Sequence, residues 1–432
     1  MKKFLCLSVL MLVLSVFSGN VLANDEVKKE DYVDGQLIVS VDASFDSKGK
    51  PMLQALTSTS KLLNAELKKN GFEVADSLLE VKGNDSVDIF SDSFKEEAAK
   101  NTGFVYLVEY STDAYASIDD AKKALEKQLT DIGLKVKYVS ENFTVELSAE
   151  AAEEVIQPAM HANQRWHYEM IRAPQAWNIT TGSRNVRMAV LDTGIDSSHP
   201  NLANLVNTSL GRSFVGGTPA DVHGHGTHVA GTIASYGSVS GVMQNATLIS
   251  VKVLDNSGSG TIYGIQQGIL YAASINADVI NMSLGGGSYN QGMNDAIQTA
   301  VNSGTVVVAA SGNNGASSIS YPAAYSGAIA VGSVTSSRTR SSFSNYGSGL
   351  ELMAPGSNIY STYPNSRYAT LSGTSMATPH VAGVAGLIRS VNPNLSAAQV
   401  RTILRNTAQY AGSSTQYGYG IVDAYAAVLS AR

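Results

Sequence analysis

Short apolar runs rich in β-branched residues recur through the second half of this chain, and helix-like stretches separate them. Such runs are typical of strands buried on both faces, because a solvent-exposed face would need alternating polar residues. Alternating strands and helices predict an α/β fold with a mostly parallel, doubly wound sheet and helices on both faces. The predicted strands are 186–191, 248–254, 279–282, 305–310 and 328–334, and the predicted helices are 227–235, 262–275, 292–303 and 375–391.

The first half differs in composition. Residues 24–160 carry 15 lysines, no arginine and 27 acidic residues, a net charge of −12, whereas residues 161–432 carry +4 and use arginine at all basic positions but one. This change predicts a domain boundary after residue 160. Within 24–160, strand-like runs at 36–41, 104–110, 134–138 and 143–147 accompany helix-like stretches at 52–70 and 118–132, which predicts a small α+β domain of the split β-α-β kind.

The N-terminus has the pattern of an export signal. Lys2 and Lys3 precede an apolar run over residues 4–17, and small residues follow up to Ala23. The run is shorter than the roughly 20 residues that a membrane anchor needs, so residues 1–23 are predicted to be a cleaved signal peptide. Cys6 is the only cysteine, so the exported protein would contain no disulfide.

Three polar residues fall where an α/β sheet gathers its reactive groups, at strand ends and at the helix starts that face them. Asp192 ends a strand, whereas His225 and Ser375 begin helices. A serine hydroxyl needs a nearby base to become a nucleophile, and histidine titrates close enough to neutrality to serve. A carboxylate on the other ring nitrogen orients that histidine. The three residues together therefore indicate nucleophilic catalysis.

A fourth residue supplies a hydrogen-bond donor. Asn313 follows the apolar run 306–310. Its side-chain amide and the backbone N–H of Ser375, at a helix N-terminus, predict an oxyanion hole.

From about residue 165 to residue 431 the chain resembles the subtilisin family of serine proteases, in the family's order of aspartate, histidine and serine. The matching motifs are Asp192-Thr-Gly, His225-Gly-Thr-His-Val-Ala-Gly and Gly373-Thr-Ser-Met-Ala-Thr-Pro. The resemblance implies that Ser375 is the nucleophile, His225 the general base and acid, Asp192 its orienting partner and Asn313 an oxyanion donor, with an acyl-enzyme intermediate. A short segment at 314–320 is similar to the alkaline branch of the family.

The resemblance also implies a substrate site. In the family, two glycine-rich segments pair with the extended substrate backbone, which a glycine allows to approach closely. Here they are Gly258, Ser259 and Gly260, and Ser283, Leu284 and Gly285. Ala310 and Gly312 would line the pocket beside the nucleophile together with 283–285. Because these residues carry no charge, we expect broad cleavage after large uncharged residues.

By the same resemblance, residues 24–160 would be a propeptide that chaperones and inhibits the peptidase domain, 161–432, until the enzyme removes it. The mature N-terminus is expected within 155–168. The family's last propeptide strand is not evident in the sequence. The charge difference between −12 and +4 suggests that an acidic segment covers a basic enzyme.

No catalytic cofactor is implied, and no residue is predicted to bind a metal. Structural calcium is compatible with the family, but its strongest site usually has a carboxylate where this chain has Asn201, and the loop 235–240 is short, so this site is expected to be weak or missing. A metal site of His223, His225 and His228 is conceivable from spacing, but no His-Glu-x-x-His pattern supports it.

The expected partners are protein or peptide substrates and the chain's own propeptide. A net charge of −6 gives no reason to expect nucleic-acid binding. We expect a monomer that is not attached to a membrane once its signal peptide is removed and that functions outside the cell or in a periplasm. Two alternatives remain. A lipase or esterase would carry Gly-x-Ser-x-Gly, but Ala377 replaces the last glycine. A catalytically silent secreted binding protein is the other.

Overall fold

The structure, a computed structural model, describes residues 32–43, 52–81, 88–147 and 162–432. We call residues 32–147 the N-terminal region and residues 162–432 the C-terminal region. The predicted signal peptide, 1–23, and the segment 149–160, which leads to the predicted domain boundary, lie outside the described residues.

The N-terminal region is an antiparallel sheet with helices, as the sequence predicts. Its elements are β1 (Tyr32–Val41), α1 (Leu53–Leu67), β2 (Phe72–Ser77), α2 (Asp92–Thr102), β3 (Phe104–Tyr110), α3 (Ile118–Asp131) and β4 (Val136–Glu146). The strand order is β2-β3-β1-β4, so β3 lies between β1 and β2 in a split arrangement.

One prediction for this region is wrong. The runs 134–138 and 143–147 form a single strand, β4, because the polar residues between them continue the pairing: Ser140 lies opposite Ile38 and Glu141 opposite Leu37. Polarity therefore marks a partly exposed stretch of a strand here and not a loop. β4 is also the last strand of the region, which the sequence did not reveal.

The C-terminal region contains the remaining elements. They are α4 (Ala162–Met170), α5 (Ala173–Trp177), β5 (Gly182–Asp192), β6 (Arg212–Ser213), α6 (His225–Ile233), β7 (Asn245–Lys252), β8 (Ser259–Thr261), α7 (Ile262–Ser274), β9 (Val279–Met282), α8 (Gln291–Asn302), β10 (Val306–Ala310), β11 (Ala328–Val334), β12 (Leu352–Pro355), β13 (Ile359–Tyr363), β14 (Arg367–Leu371), α9 (Thr374–Val391), α10 (Ala397–Thr407), α11 (Ser414–Tyr417) and α12 (Ala424–Ser430).

Seven of these strands form one sheet in the order β12-β11-β10-β9-β5-β7-β6, and its strand pairs are parallel. Alternate residues of β5 enter two different apolar cores: Ala189 and Leu191 join the core under α7 and α8, whereas Met188 and Val190 join the core under α6 and α9. Helices therefore cover both faces, which confirms the predicted doubly wound α/β fold.

The two regions share one apolar core, because the residues under α7 and α8 pack together with those of the N-terminal sheet. β4 also pairs with β8, which extends the N-terminal sheet to five strands. No helix within the described ranges combines the length and apolar character that a membrane span requires.

Candidate active site

Asp192 and His225 form a buried hydrogen-bonded pair. Asp192 is the last residue of β5 and His225 is the first residue of α6. Their side chains are 0% and 5% exposed, and His225 Nδ1 lies 2.8 Å from Asp192 Oδ1. The Thr193 backbone N–H donates to the same oxygen at 2.7 Å, so the carboxylate is held from two directions.

Glycines let the start of α6 approach the end of β5 this closely. A methyl group on Gly226 would lie 2.1 Å from the carbonyl oxygen of Gly194. Gly224 has φ +109° and lies against the ring of Tyr363, where a methyl group would approach to 2.2 Å. Gly224 and Gly226 therefore allow the close packing at the site.

Asp221 ties these two segments together, and the sequence reasoning missed it. Its buried carboxylate accepts hydrogen bonds from Thr193 Oγ1 and Gly224 N at 2.9 Å, and from Thr227 N and Oγ1 at 2.9 and 2.6 Å. The sequence feature that could have pointed to Asp221 is its position four residues before His225, ahead of a Gly-His pair. The Asp221 carboxylate fixes the loop after β5 relative to α6.

Lys252 lies buried behind the same loop. It is the single lysine of the C-terminal region, and its Nζ donates to the Thr193 carbonyl. Burial lowers the pKa of Lys252, whereas the nearby carboxylates of Asp221 and Asp192 act in the opposite direction. The ammonium group thus offsets part of the negative charge that accumulates here.

Ser375 is the second residue of α9 and is 5% exposed. Its Oγ donates to the carbonyl of Ser283 at 3.2 Å, and Ser283 Oγ donates back to the Ser375 carbonyl at 2.8 Å. α9 packs against α6, which carries His225. The structure therefore puts the predicted nucleophile at the start of a helix and beside the predicted substrate segment.

Asn313 is oriented by Thr374, a second residue that the sequence reasoning missed. Both the backbone N–H and the hydroxyl of Thr374 donate to Asn313 Oδ1 at 2.8 Å. With its oxygen engaged in this way, the amide presents its Nδ2 donor on the other side. The Thr374 hydroxyl also accepts from Gly312 N at 3.3 Å.

The predicted substrate segments lie on either side of β4. β4 pairs antiparallel with β8, and the aligned residues are Thr144 with Thr261, Val145 with Gly260 and Glu146 with Ser259. Leu147 N then donates to the Gly258 carbonyl at 3.1 Å. On the opposite side, Glu146 forms an antiparallel bridge with Gly285. The end of the N-terminal region thus fills the cleft as an extended strand.

The remaining predicted pocket residues lie at the carboxyl edge of the sheet. Ala310 ends β10, and Gly312 follows it with φ +109°, where a methyl group would lie 2.4 Å from Ser320 Oγ. Leu284 is buried, two residues after the end of β9. These residues are neutral and close to the Ser283–Ser375 contact.

The N-terminal region also docks on α7 and α8. Hydrogen bonds across this interface join Asn101 to Thr299, Ser140 to Asn290, Asn142 to Tyr263 and Asp76 to Gln267. The ion pair found there joins Lys137 to Asp295 at 4.0 Å, with the cation on the acidic region and the anion on the basic one. Hydrogen bonds and a shared apolar core therefore join the two regions at this interface.

The other motif histidine, His228, and two further histidines are structural. His228 Nε2 contacts the carbonyl of Ile359 at 2.9 Å, and His380 Nε2 contacts His167 Nδ1 at 2.9 Å. Burial lowers the pKa of His228 to about 3 and that of His380 to about 4. Across the described ranges, no three His, Cys, Asp or Glu side chains converge as metal ligands would.

Asn201 does not fit the role of a calcium ligand. Its Nδ2 donates to the Tyr236 carbonyl at 2.6 Å, and its Oδ1 accepts from the Tyr368 hydroxyl at 2.6 Å. Calcium requires oxygen ligands, and here an N–H group faces the loop carbonyl that would otherwise be available. The Asn201 amide thus links its own segment directly to the loop 235–240.

Comparisons with known proteins agree with this geometry. Residues 183–420 match the Subtilase family model of S8 peptidases. The chain is 42% identical over 359 residues to an alkaline protease of Alkalihalobacillus alcalophilus, a match that covers 82% of this chain and 88% of that protein. It is 50% identical over 267 residues to subtilisin Savinase of Lederbergia lenta, covering 61% and 97% of the two chains, and 48% identical over 274 residues to thermitase of Thermoactinomyces vulgaris, covering 62% and 96%.

A parallel α/β sheet with a serine at a helix start and a buried Asp–His pair defines a serine hydrolase, and the comparisons identify which kind. The chain belongs to the subtilase family. It is a subtilisin-like serine endopeptidase.

Proposed function

We propose that this chain is a secreted endopeptidase, made as a precursor that processes itself, with Asp192, His225 and Ser375 as its catalytic triad. The observation that carries the proposal is the strand β4, whose end lies in the cleft between β8 and Gly285 as an extended substrate would. Strand pairing of this kind supplies backbone hydrogen bonds regardless of side chain, which suits a peptidase of broad specificity.

The chemistry follows from the hydrogen bond between the imidazole and the carboxylate. His225 donates its Nδ1–H to Asp192, which leaves Nε2 as the base that accepts the proton of the Ser375 hydroxyl. The Ser375 oxygen attacks the scissile carbonyl, and the imidazolium returns its proton to the leaving amine. Water then hydrolyses the acyl-enzyme by the same route.

Charge that develops on the scissile oxygen is stabilised by two donors. Thr374 holds Asn313 Oδ1, so Nδ2 remains as the donor, and the backbone N–H of Ser375 lies in the first turn of α9. Donors that are already oriented need no rearrangement when the charge appears.

The pocket beside the nucleophile is proposed to accept large uncharged side chains. Ala310, Gly312 and the segment from Ser283 to Gly285 offer no carboxylate that would pair with lysine or arginine. Hydrolysis of matched peptides that place Phe, Leu or Lys before the scissile bond tests this proposal. Faster cleavage after Lys would contradict it.

The domain assignment is likewise proposed: a signal peptide at 1–23, a propeptide at 24–160 and a peptidase domain at 161–432. Its support is that the match to the alkaline protease is longer than the whole C-terminal region and therefore includes part of the N-terminal region. The proposed partners are protein substrates and the propeptide as an inhibitor in the cleft. No catalytic cofactor takes part.

The test is the Ser375→Ala variant of the full chain, expressed and secreted beside the wild type. We expect it to accumulate as an uncut precursor, because the nucleophile is missing, while the wild type is processed. A matched control is Ser372→Ala, which changes a nearby serine with no proposed role and should be processed normally. Normal processing of Ser375→Ala in a host without other proteases would contradict self-processing.

A further inference from the structure

We infer that Lys252 is a positioning residue for the proposed triad: its positive charge keeps His225 neutral, and therefore able to accept a proton, at a lower pH than the Asp192–His225 pair alone would allow. This inference rests on the proposed function, in which His225 is the base. Lys252 is 4% exposed and is the only lysine after residue 137. A buried charge is costly unless it is paired, so its presence here needs a reason that the catalytic steps do not give.

The sheet places Lys252 directly beside Asp192. Lys252 is the last residue of β7 and Asp192 is the last residue of β5, and the parallel register of the two strands aligns them. Aligned residues of neighbouring strands project from the same face of a sheet. Met188 and Leu248, an aligned pair four residues earlier, both enter the core under α6 and α9. By the same alternation, Asp192 and Lys252 project toward α6, which begins at His225.

The contacts of Lys252 lead to both members of the pair. Its Nζ donates to the carbonyl of Thr193, whose N–H donates to Asp192 Oδ1 at 2.7 Å. The Thr193 hydroxyl accepts from the N–H of Gly226 at 2.9 Å, and Gly226 follows His225 at the start of α6. Thr193 therefore links the lysine to the carboxylate on one side and to the segment that carries the imidazole on the other.

Several carboxylates face the Lys252 ammonium group. Burial lowers the pKa of Lys252. The carboxylates of Asp221, Asp192 and Asp255 act in the opposite direction and favour the charged form. Asp196, further along the loop after β5, is only partly buried. A carboxylate beside an imidazole favours the imidazolium, which cannot accept a proton, whereas a nearby cation disfavours it. Lys252 thus opposes the effect that Asp192 has on the base.

The other titratable side chains near the base are histidines and a tyrosine. His228 lies further along α6, and His380 lies on α9, which packs against α6. Burial lowers the pKa of His228 to about 3 and that of His380 to about 4, so both are neutral where an ordinary histidine titrates. His223 lies two residues before the base, with ring centres 6.4 Å apart, and its carbonyl accepts from the hydroxyl of Tyr363 on β13. The lysine differs from these side chains because we expect it to stay charged throughout the range in which the histidines titrate.

The test is the pH dependence of kcat/KM for the processed enzyme, with a peptide substrate that has no titratable group. Lys252→Met and Lys252→Gln remove the charge, and the Gln side chain keeps a donor for the Thr193 carbonyl. We expect both to move the midpoint of the acid limb to higher pH by about 0.5–1 unit, the scale of one charge acting through a partly screened site. Lys252→Arg keeps the charge and should keep the wild-type midpoint, whatever its effect on kcat.

Arg184→Gln is the matched control for net charge. It removes one positive charge from β5, eight residues before Asp192, a distance of about 26 Å at about 3.3 Å per residue. This distance exceeds the Debye length of about 10 Å at roughly 0.1 M salt, so the midpoint should not move. An equal shift in Arg184→Gln would overturn the inference, and so would a uniform loss of kcat/KM in the Lys252 variants with an unmoved midpoint.

A second measurement requires no substitution. Residues 138–432 contain Lys252 as their only lysine, so processed enzyme produced with lysine labelled at Cε has one lysine signal in its NMR spectrum. Because the coupling between two titrating sites is mutual, this signal should shift at the pH where the acid limb has its midpoint. A signal that stays constant through this range would overturn the inference, even if the Lys252 variants fail to fold.

Ser375→Ala separates this inference from the proposed function. If the secreted variant hydrolyses no peptide while Lys252→Met and Lys252→Gln retain the wild-type midpoint, the triad stands and the role of Lys252 is wrong. If Ser375→Ala hydrolyses peptides as fast as the wild type, the proposed nucleophile is wrong, and so is the inference that rests on it.

Discussion

The surface ion pairs of the N-terminal region contrast with the buried polar groups at the candidate active site of the C-terminal region. In the N-terminal region charged side chains pair at the surface, as in Lys127–Asp131, where the side chains are 76% and 60% exposed. In the C-terminal region Asp192, Asp221 and His225 are buried and held by hydrogen bonds. Exposed pairs keep a domain soluble but contribute little stability, whereas buried ones fix a geometry. The difference is that between a solvated charged surface and a site whose geometry is fixed by hydrogen bonds.

The interface between the regions refines this comparison. Opposite net charges suggest electrostatic docking. In the pair Lys137–Asp295, however, the acidic region contributes the cation and the basic region contributes the anion. Specific contacts, such as the Tyr138 hydroxyl above Gly292 and the pairing of β4 with β8, hold the regions together. Net charge describes solubility better than it describes this fit.

Among substitutions outside the proposed triad, the largest effect on the enzyme side should come from Asn313→Ala. Loss of the oxyanion donor should lower kcat about 10²–10³-fold with little change in KM, a magnitude known from subtilisin itself. Steady-state kinetics of the processed enzyme measures it. Thr374→Val, which keeps the backbone N–H and removes the hydroxyl bond to Asn313, should give a smaller loss. A kcat unchanged in Asn313→Ala would remove this residue from the site.

The interface is tested by Gly292→Ala. Its new methyl group would lie 2.4 Å from the Tyr138 hydroxyl, and overpacking of this kind costs about 1–3 kcal/mol. Inhibition of the processed enzyme by its released propeptide should therefore weaken by about tenfold or more. Tyr138→Phe removes the clashing oxygen and should restore part of the affinity in the double variant. Unchanged inhibition in Gly292→Ala would show that the regions do not dock through this contact.

Much of the fold follows from the sequence because β-branched runs and buried strands coincide. The strands 279–282 and 328–334 have the predicted bounds, since both faces are covered and nearly every residue is apolar or small. The sequence pattern divides β4 in two because Ser140 and Glu141 are polar and partly exposed, so they interrupt the apolar run within the strand. The strand β8 and the hairpin of β13 and β14 are too short or too irregular to leave such a pattern.

Some residues of the candidate site can likewise be predicted from the sequence, and others cannot. Asp192, His225 and Ser375 stand in motifs that a reader of the sequence can find. Asp221 and Thr374 each form hydrogen bonds to a distant segment, Asp221 to Thr193 and Thr374 to Asn313, so their roles depend on the tertiary structure. The register of β4 in the cleft is likewise a property of the fold and not of either strand.

Acid should affect the two regions differently, because all seven histidines lie at residue 161 or beyond. His228 and His380 have folded pKa values of about 3 and about 4, below the ordinary 6.5. Below pH 6.5 the unfolded chain binds more protons, so the free energy of unfolding should fall by up to about 1.4 kcal/mol per pH unit for each histidine. Denaturation of the processed Ser375-blocked enzyme between pH 7 and 5 measures this slope, and a flat profile would contradict it.

The smallest effect should come from surface pairs of the N-terminal region. Lys127→Ala removes the exposed contact with Asp131 and should change the free energy of unfolding by less than about 0.5 kcal/mol. Chemical denaturation of the uncut Ser375→Ala precursor measures the change. A loss of about 2 kcal/mol or more, on the order of a core contact, would show that surface charge contributes far more to this region than its exposure indicates.

One experiment can test two proposals together. The first is that Ser375 is the nucleophile, and the second is that the N-terminal region occupies the cleft beside Ser375 until it is removed. Labelling with a serine-directed phosphonate, applied during processing and followed by separation and peptide mass mapping, examines both in one sample. We predict label on Ser375 of the released enzyme and little label on the uncut precursor. Label on another serine, or equal labelling of both forms, would contradict this assignment.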